Sequence, residues 1–218
     1  MKKLAVITYD CPHKKTQDIL IKLCEKDYNI TVIAMPFVKR DRSFVYSHRP
    51  DMSNAVSTKK LCELFGYEYH KSDKPADIMD ELNIDVGIIG GAGIIDPGNK
   101  KIINSHPGYL PNVRGLDALK WAIYNGQPIG VTTHVIDNKP DAGYLIDREI
   151  IRVGFYDTFH LVAQRQYELE IAMIVRAIDR PVGEKLDTGY MVHGRMPVYY
   201  EPIMMERFEN IRKKSTIQ

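Results

Sequence analysis

Glycine is missing where an α/β chain most often needs it. After the apolar run LAVITYD at residues 4–10 the sequence continues CPHKKTQD, so no G-x-G-x-x-G turn can press backbone against a pyrophosphate. Nucleotide-cofactor oxidoreduction therefore has no fingerprint here. Cysteine is scarce as well: Cys11, Cys24 and Cys62 are the only three in 218 residues. None forms a C-x-x-C pair, which argues against a disulfide framework, a redox dithiol or a structural metal knot. No stretch approaches the roughly 18 consecutive apolar residues of a membrane span. The opening MKKLAVITYDCPHKK is too short in apolar residues for a signal peptide, so the expected location is the cytoplasm. Excess charge is absent too, with 30 basic against 28 acidic residues and a formal net charge of +2. No global field draws the chain to nucleic acid or an anionic membrane, and any anion site must be local.

Present instead is a composition, 44% hydrophobic and 27% charged, suited to a single domain with a substantial core. Residues 4–10, ITVIAMP at 30–36 and IDVGIIGG at 84–91 are nearly continuous Val/Ile-rich runs, the mark of strands covered on both faces. Helical stripes separate them. In TQDILIKLCEKD the apolar positions Ile19, Leu20, Leu23 and Cys24 share a face, with Thr16 as the expected cap. SNAVSTKKLCELFG stops at Gly66 before the short strand YEYH, and PADIMDELN opens with Pro75 in a first turn. The alternation predicts a Rossmann-like, mostly parallel twisted sheet flanked by helices. Farther on, LDALKWAIYNG reads as a helix, IGVTTHVID and GYLIDREIIRV as an antiparallel hairpin extension, and residues 157–179 as a long helix capped by Asp157 or Thr158. Residues 1–182 thus form the expected catalytic body. Residues 183–218, mixed in character and rich in Tyr and Met, are the expected extension that packs on the body or on a second copy, with the last residues frayed.

The chemistry-bearing stretch is INSHPGYLPNVRG at residues 103–115. Asn104 and His106 are two apart, so on an extended strand end they share a face while Ser105 points away. Pro107 keeps the chain extended and turns it outward. Asp141 comes from the turn-rich NKPDAG that joins the hairpin strands. An amide donor, an imidazole and a carboxylate around one point suit attack of a neutral amine on a carbonyl carbon: Asn104 and a protonated His106 donate to the developing oxyanion, and Asp141 favours the imidazolium. Taken singly, each residue also has a plainer reading. A lone His after a strand is often a surface or capping group, and Asp in KPDAG is a natural turn former. Spacing alone leaves both readings open.

NSHPGYLPNVRG followed by VTTHVIDNKPDAGYLI resembles the formyltransferases that use 10-formyltetrahydrofolate. That resemblance implies Asn104, His106 and Asp141 as the catalytic trio, direct formyl transfer and no metal. It implies that GGAGIID and IDNKPDAG hold the folate's pterin, with Ala92, Gly93, Ile94, Asp137, Asn138 and Lys139 as neighbours. The form HPGYLPNVRG looks most like family members acting on amino sugars, usually nucleotide-linked, in the synthesis of surface polysaccharides such as O-antigen and lipopolysaccharide. Tyr109, Arg114, His134, His48 and Arg49 are then the expected acceptor contacts, and Trp121 either joins them or fills the core of its helix. Residues 49–57 are a candidate acceptor loop, and His13, Lys14 and Lys15 could attract a phosphate. Two departures narrow the acceptor. The stretch after the first strand lacks the glycine-rich phosphate loop of glycinamide ribonucleotide formyltransferase, and residues 183–218 are too few for the RNA-binding domain of the methionyl-tRNA enzyme. No nucleic-acid or membrane partner is expected, and a homodimer is. Alternatives in the same fold are the glycinamide ribonucleotide enzyme, a formyltetrahydrofolate hydrolase and a non-catalytic binding protein.

Overall fold

A computed structural model describes residues 1–38, 43–49 and 54–215. Strands β1 (Lys2–Tyr9), β2 (Tyr28–Met35), β3 (Glu68–Lys71), β4 (Val86–Ile89), β5 (Lys101–His106), β7 (Gly130–Val135) and β8 (Tyr144–Ile150) form one sheet in the order β3-β2-β1-β4-β5-β7-β8. The first five run parallel, and β7 and β8 are antiparallel. A two-residue pair lies apart, joining β6 (Arg114–Gly115) to β9 (Val192–His193). Helices α1 (Lys14–Leu23), α2 (Thr58–Phe65), α3 (Pro75–Glu81), α4 (Ala118–Asn125), α5 (Phe159–Ala177) and α6 (Glu201–Lys214) complete the described elements. Among them no helix is long and apolar enough to cross a membrane.

Continuous apolar runs arise because alternate side chains feed different cores. Leu4, Val6, Ile30, Val32, Ile88 and Ile103 enter one buried cluster with α1 and α5, while Ala5, Ile7, Ile33, Ile89 and Ile102 enter another with Met79 and Ile84. Each Val, Leu, Ile or Met side chain among them contributes about 1.5–3 kcal/mol on burial. Side chains cap two of the helix starts, and a glycine closes one of those helices. Ser57 accepts from Lys60 N and Thr158 from Leu161 N, and Gly66 closes α2 at φ +69°. The expected Thr16 cap is a correction: α1 starts earlier, His13 holds the capping position, and buried Thr16 spends its hydroxyl on Thr8 and on His13 Nδ1.

Strand order reverses at β1, which feeds β2 and β3 on one side and β4 and β5 on the other. In an open sheet of this kind the carboxyl ends of the strands near that reversal frame the ligand crevice. Beyond α5 the chain returns along β8, where Leu145 N bonds Glu184 O and Gly183 N bonds Leu145 O. It then passes β9 and ends in α6, whose Met204 and Phe208 join a third cluster with Leu119 and Ile123 of α4 and Phe159 and Val162 of α5. Inside that interface Lys120 Nζ meets Glu201 Oε1 at 2.6 Å, both side chains almost fully buried. Glu201 Oε2 accepts from Val45 N and Tyr46 N, tying residues 43–49 to α6. The expected fraying of the last residues falls on 216–218, outside the described residues.

Candidate active site

Strand β5 carries Asn104 and His106 to its carboxyl end, where antiparallel pairing sets Asn104 opposite His134 and His106 opposite Thr132 of β7. The loop after β7 then brings in Asp141. His106 Nδ1 lies 3.1 Å from Asp141 Oδ1, and His106 Nε2 lies 2.9 Å from Val113 O. Both ring nitrogens thus face acceptors, an arrangement that only the doubly protonated imidazolium satisfies. Burial alone would lower the His106 pKa, but the Asp141 charge, its hydrogen bond and the Val113 carbonyl outweigh burial, and the net shift is upward. Burial likewise opposes the Asp141 charge, yet the imidazolium and the Gly115 N–H, which donates to Oδ2 at 2.6 Å, hold its carboxyl well below the usual carboxylate range. Asp141 itself is left-handed, at φ +45°. A non-glycine residue there costs on the order of 1–3 kcal/mol and persists only where its surroundings enforce it.

His134 is fully buried, and that burial lowers its pKa to about 4, keeping it neutral. Its Nδ1 bonds Ala142 O at 2.7 Å, which makes Nδ1 the protonated nitrogen, and Nε2 therefore presents a lone pair to Asn104 Nδ2 at 3.4 Å. This contact turns the amide nitrogen toward the His134 ring. One expectation changes as a result. His106 does not hold a spare N–H for an oxyanion, because both are committed to Asp141 and Val113. That leaves the expected donor role to Asn104, and to His106 the expected contribution of its charge.

The acceptor candidates divide. Arg114 is a correction: it is 3% exposed, and its guanidinium donates to four backbone carbonyls, those of Asp141, Pro140, Thr188 and Tyr190. His48 is another, since burial first, with Arg49 and Lys120 adding repulsion, lowers its pKa to about 3 and leaves it neutral beside Asp117, 3.6 Å away. A neutral ring is no phosphate anchor. Arg49 is partly exposed, with Nη1 2.9 Å from Glu170 Oε2. Tyr109 is half-buried under the Arg148 guanidinium, 4.9 Å from the ring centroid. Trp121 stacks on His193 and donates Nε1–H to Gly194 O. Lys14 pairs with Asp18, and Lys15 with Glu170, so neither is the open basic pair that the sequence allowed. Residues 50–53 of the candidate acceptor loop lie outside the described residues.

Glu170 itself escaped the sequence reading. It is buried on α5 with Lys15 Nζ at 2.6 Å and Arg49 Nη1 at 2.9 Å, and Lys15 also bonds Ser105 O, directly behind His106. The signal was available: an acid on the same stripe as Gln166, Tyr167, Ile171 and Ile174 of an amphipathic helix must have a buried partner. The loops expected at the pterin flank the same sheet edge. Gly93 and Ile94 are exposed, a Cβ at Gly93 would meet nothing, and Asn138 and Lys139 are exposed in a turn where Asp137 accepts from Lys139 N. Ala92 of one loop and Ile136 after β7 each pack against the buried cluster that contains Ile102 of β5. Among the described residues no group of His, Cys, Asp and Glu side chains is placed to hold a metal ion.

Residues 16–178 match the family model described as formyl transferase. Phosphoribosylglycinamide formyltransferase of Bacillus subtilis is 38% identical over 71 residues, 32% of this chain and 36% of that protein. Curated relatives are matched over well under two thirds of their length, from 24% for the methionyl-tRNA formyltransferase of Cyanothece to 42% for that of Trichormus variabilis. In fold the chain is similar to a sugar N-formyltransferase from Shewanella (TM-score 0.63, 14% identity, 95% of this chain and 87% of that one). It is likewise similar to an N-formyltransferase from Helicobacter canadensis in complex with folinic acid and dTDP-3-aminofucose (TM-score 0.64, 19% identity, 89% and 71%).

Proposed function

Because the chain belongs to the formyl transferase family, we propose that it moves a formyl group from 10-formyltetrahydrofolate to the primary amine of a nucleotide-linked amino sugar, as a cytoplasmic homodimer serving surface-polysaccharide synthesis. The observation that carries this reading is the buried His106–Asp141 pair beside Asn104 at the carboxyl end of β5. The flanking loops suit a flat heteroaromatic donor, since Ala92 and Ile136 add apolar side chains and residues 137–139 give exposed backbone at its rim.

When bound, the folate supplies a formyl carbon on a nitrogen that leaves readily. Asn104 donates to the carbonyl oxygen as negative charge builds there, and its orientation is set in advance by His134. His106, held as an imidazolium, stabilises the same charge at short range in a site of low polarity. Asp141 keeps that cation in place. The amine nitrogen gains the bond to the formyl carbon, the bond from that carbon to the folate nitrogen breaks, and the proton shed by the amine ends on the nitrogen released.

Glycinamide ribonucleotide is the second reading, favoured by the Bacillus relative and disfavoured by the missing glycine loop after β1. The test is a panel of dTDP-, UDP- and GDP-linked amino sugars, with glycinamide ribonucleotide, incubated with 10-formyltetrahydrofolate and read by mass. Gain of one formyl group on a sugar nucleotide is the expected result. Gain on glycinamide ribonucleotide alone, or formate released without any amine, would overturn the proposal in favour of the second reading or of a hydrolase.

A further inference from the structure

We infer that Arg114 is a positioning residue for Asp141, working by fastening the Asp141 loop to residues 186–193, a strap beyond the family-matched part of the chain. The inference rests on the catalytic reading above for its purpose, and on geometry for its content. Residues 113–115 touch every group of the ion pair. Val113 O takes His106 Nε2, and Gly115 N donates to Asp141 Oδ2. Between them Arg114 reaches both ways. Its Nη2 and Nε bond Pro140 O and Asp141 O at 2.6 and 3.2 Å, and its Nη1 bonds Thr188 O and Tyr190 O at 3.0 and 3.1 Å.

The strap meets the same loop independently. Leu186 N bonds Gly143 O, Leu116 N bonds His193 O, and β6 pairs with β9 so closely that a Cβ at Gly115 would lie 2.0 Å from His193 O. Asp141, in its left-handed conformation, therefore has its carboxylate gripped from one side and its two adjacent carbonyls gripped by a guanidinium that is itself seated on the strap. Lysine in place of Arg114 keeps the charge but cannot span carbonyls in two segments, because an ammonium lacks the planar fork. Loss of the grip lets the carboxylate drift from the imidazole.

The test reads the His106 titration by NMR in the full-length protein, which needs no substrate and so stands apart from the formyl-transfer reading. The groups facing His106 are Asp141 from its loop, His134 on β7 and Glu170 on α5, the last with Lys15 of α1. Arg114→Lys substitutes none of them. Its expected effects are a His106 pKa lowered by about half a unit or more and kcat lowered about 10- to 100-fold. Asp141→Asn should lower the pKa further, and the double variant should go no lower than Asp141→Asn alone. Leu186→Ala, which loosens the strap at a buried residue without touching Arg114, should move the titration in the same direction by less. If Arg114→Lys does not fold, Leu186→Ala decides. A folded Arg114→Lys or Leu186→Ala protein that titrates like the parent, or a double variant whose shifts simply add, overturns the inference.

Discussion

Two of the buried ion pairs among the described residues are built differently. Lys120 and Glu201 meet at 2.6 Å between α4 and α6, with 1% and 0% of their side chains exposed and both carboxylate oxygens taken up. His106 and Asp141 meet at 3.1 Å at a sheet edge, with Asp141 15% exposed and its backbone in a conformation that other residues must enforce. The first pair joins two helices and a loop. The second is held by the Val113 carbonyl and the Gly115 N–H, and on the proposed function its charge serves whatever enters. Burial therefore does not by itself mark an active ion pair. The mark is a buried pair whose partners are fixed from behind while one side stays open.

Variants at the two pairs should separate stability from turnover. The largest effect expected is on folding: Glu201→Ala leaves Lys120 buried without its anion and should cost about 3–5 kcal/mol, read by urea unfolding. The same variant should leave kcat of the folded fraction far less affected than its midpoint. Next in size, Asn104→Ala and His106→Ala should lower kcat of the folded protein about 100- to 1000-fold; Asn104→Ala should keep an unfolding midpoint near the parent's, whereas His106→Ala, which leaves Asp141 without its cation, should lower it. An Asn104→Ala enzyme with parental turnover would remove the amide from the mechanism.

The pH dependence sharpens the contrast further. A cationic His106 supports activity below its raised pKa and loses it as pH rises through that value, so Asp141→Asn should move the alkaline limb to lower pH. The raised His106 value contributes stability fully present below about pH 6.5 and lost as pH climbs through the folded value. The depressed Asp141 value contributes stability present above about pH 3.9 and lost as pH falls through the folded value. An alkaline limb unmoved by the substitution would show that the two side chains do not titrate together. The smallest effect belongs to a third kind of pair: Lys60 and Glu63 on α2 are both more than half exposed, and Lys60→Ala should change stability by less than about 0.5 kcal/mol.

Most of the sheet was legible because burial on two faces leaves continuous Val/Ile runs, as at residues 4–10 and 30–36. Asn104 and His106 were legible because alternation on a strand is strict, and Asp141 because its loop carries a recognisable motif. Arg114 was misread as an acceptor contact. Its partners are backbone carbonyls, which any residue supplies, so their positions leave no trace in the amino-acid string. The neutrality of His48 and His134 was hidden for a related reason, since burial depends on what the distant chain packs above them. Thr16 looked like a cap because its own strand partner, Thr8, competes for the hydroxyl only once the fold has formed.

The grip of Glu201 on Val45 and Tyr46 joins residues 156 positions apart at its longer reach. A ribosome releases the earlier segment first, and through the whole synthesis of the sheet those two amides have only water to bond. The backbone just before His48 and Arg49 thus receives this tie last, when α6 arrives. A nascent chain stalled before that point can hold its central strands and still present an unfinished rim.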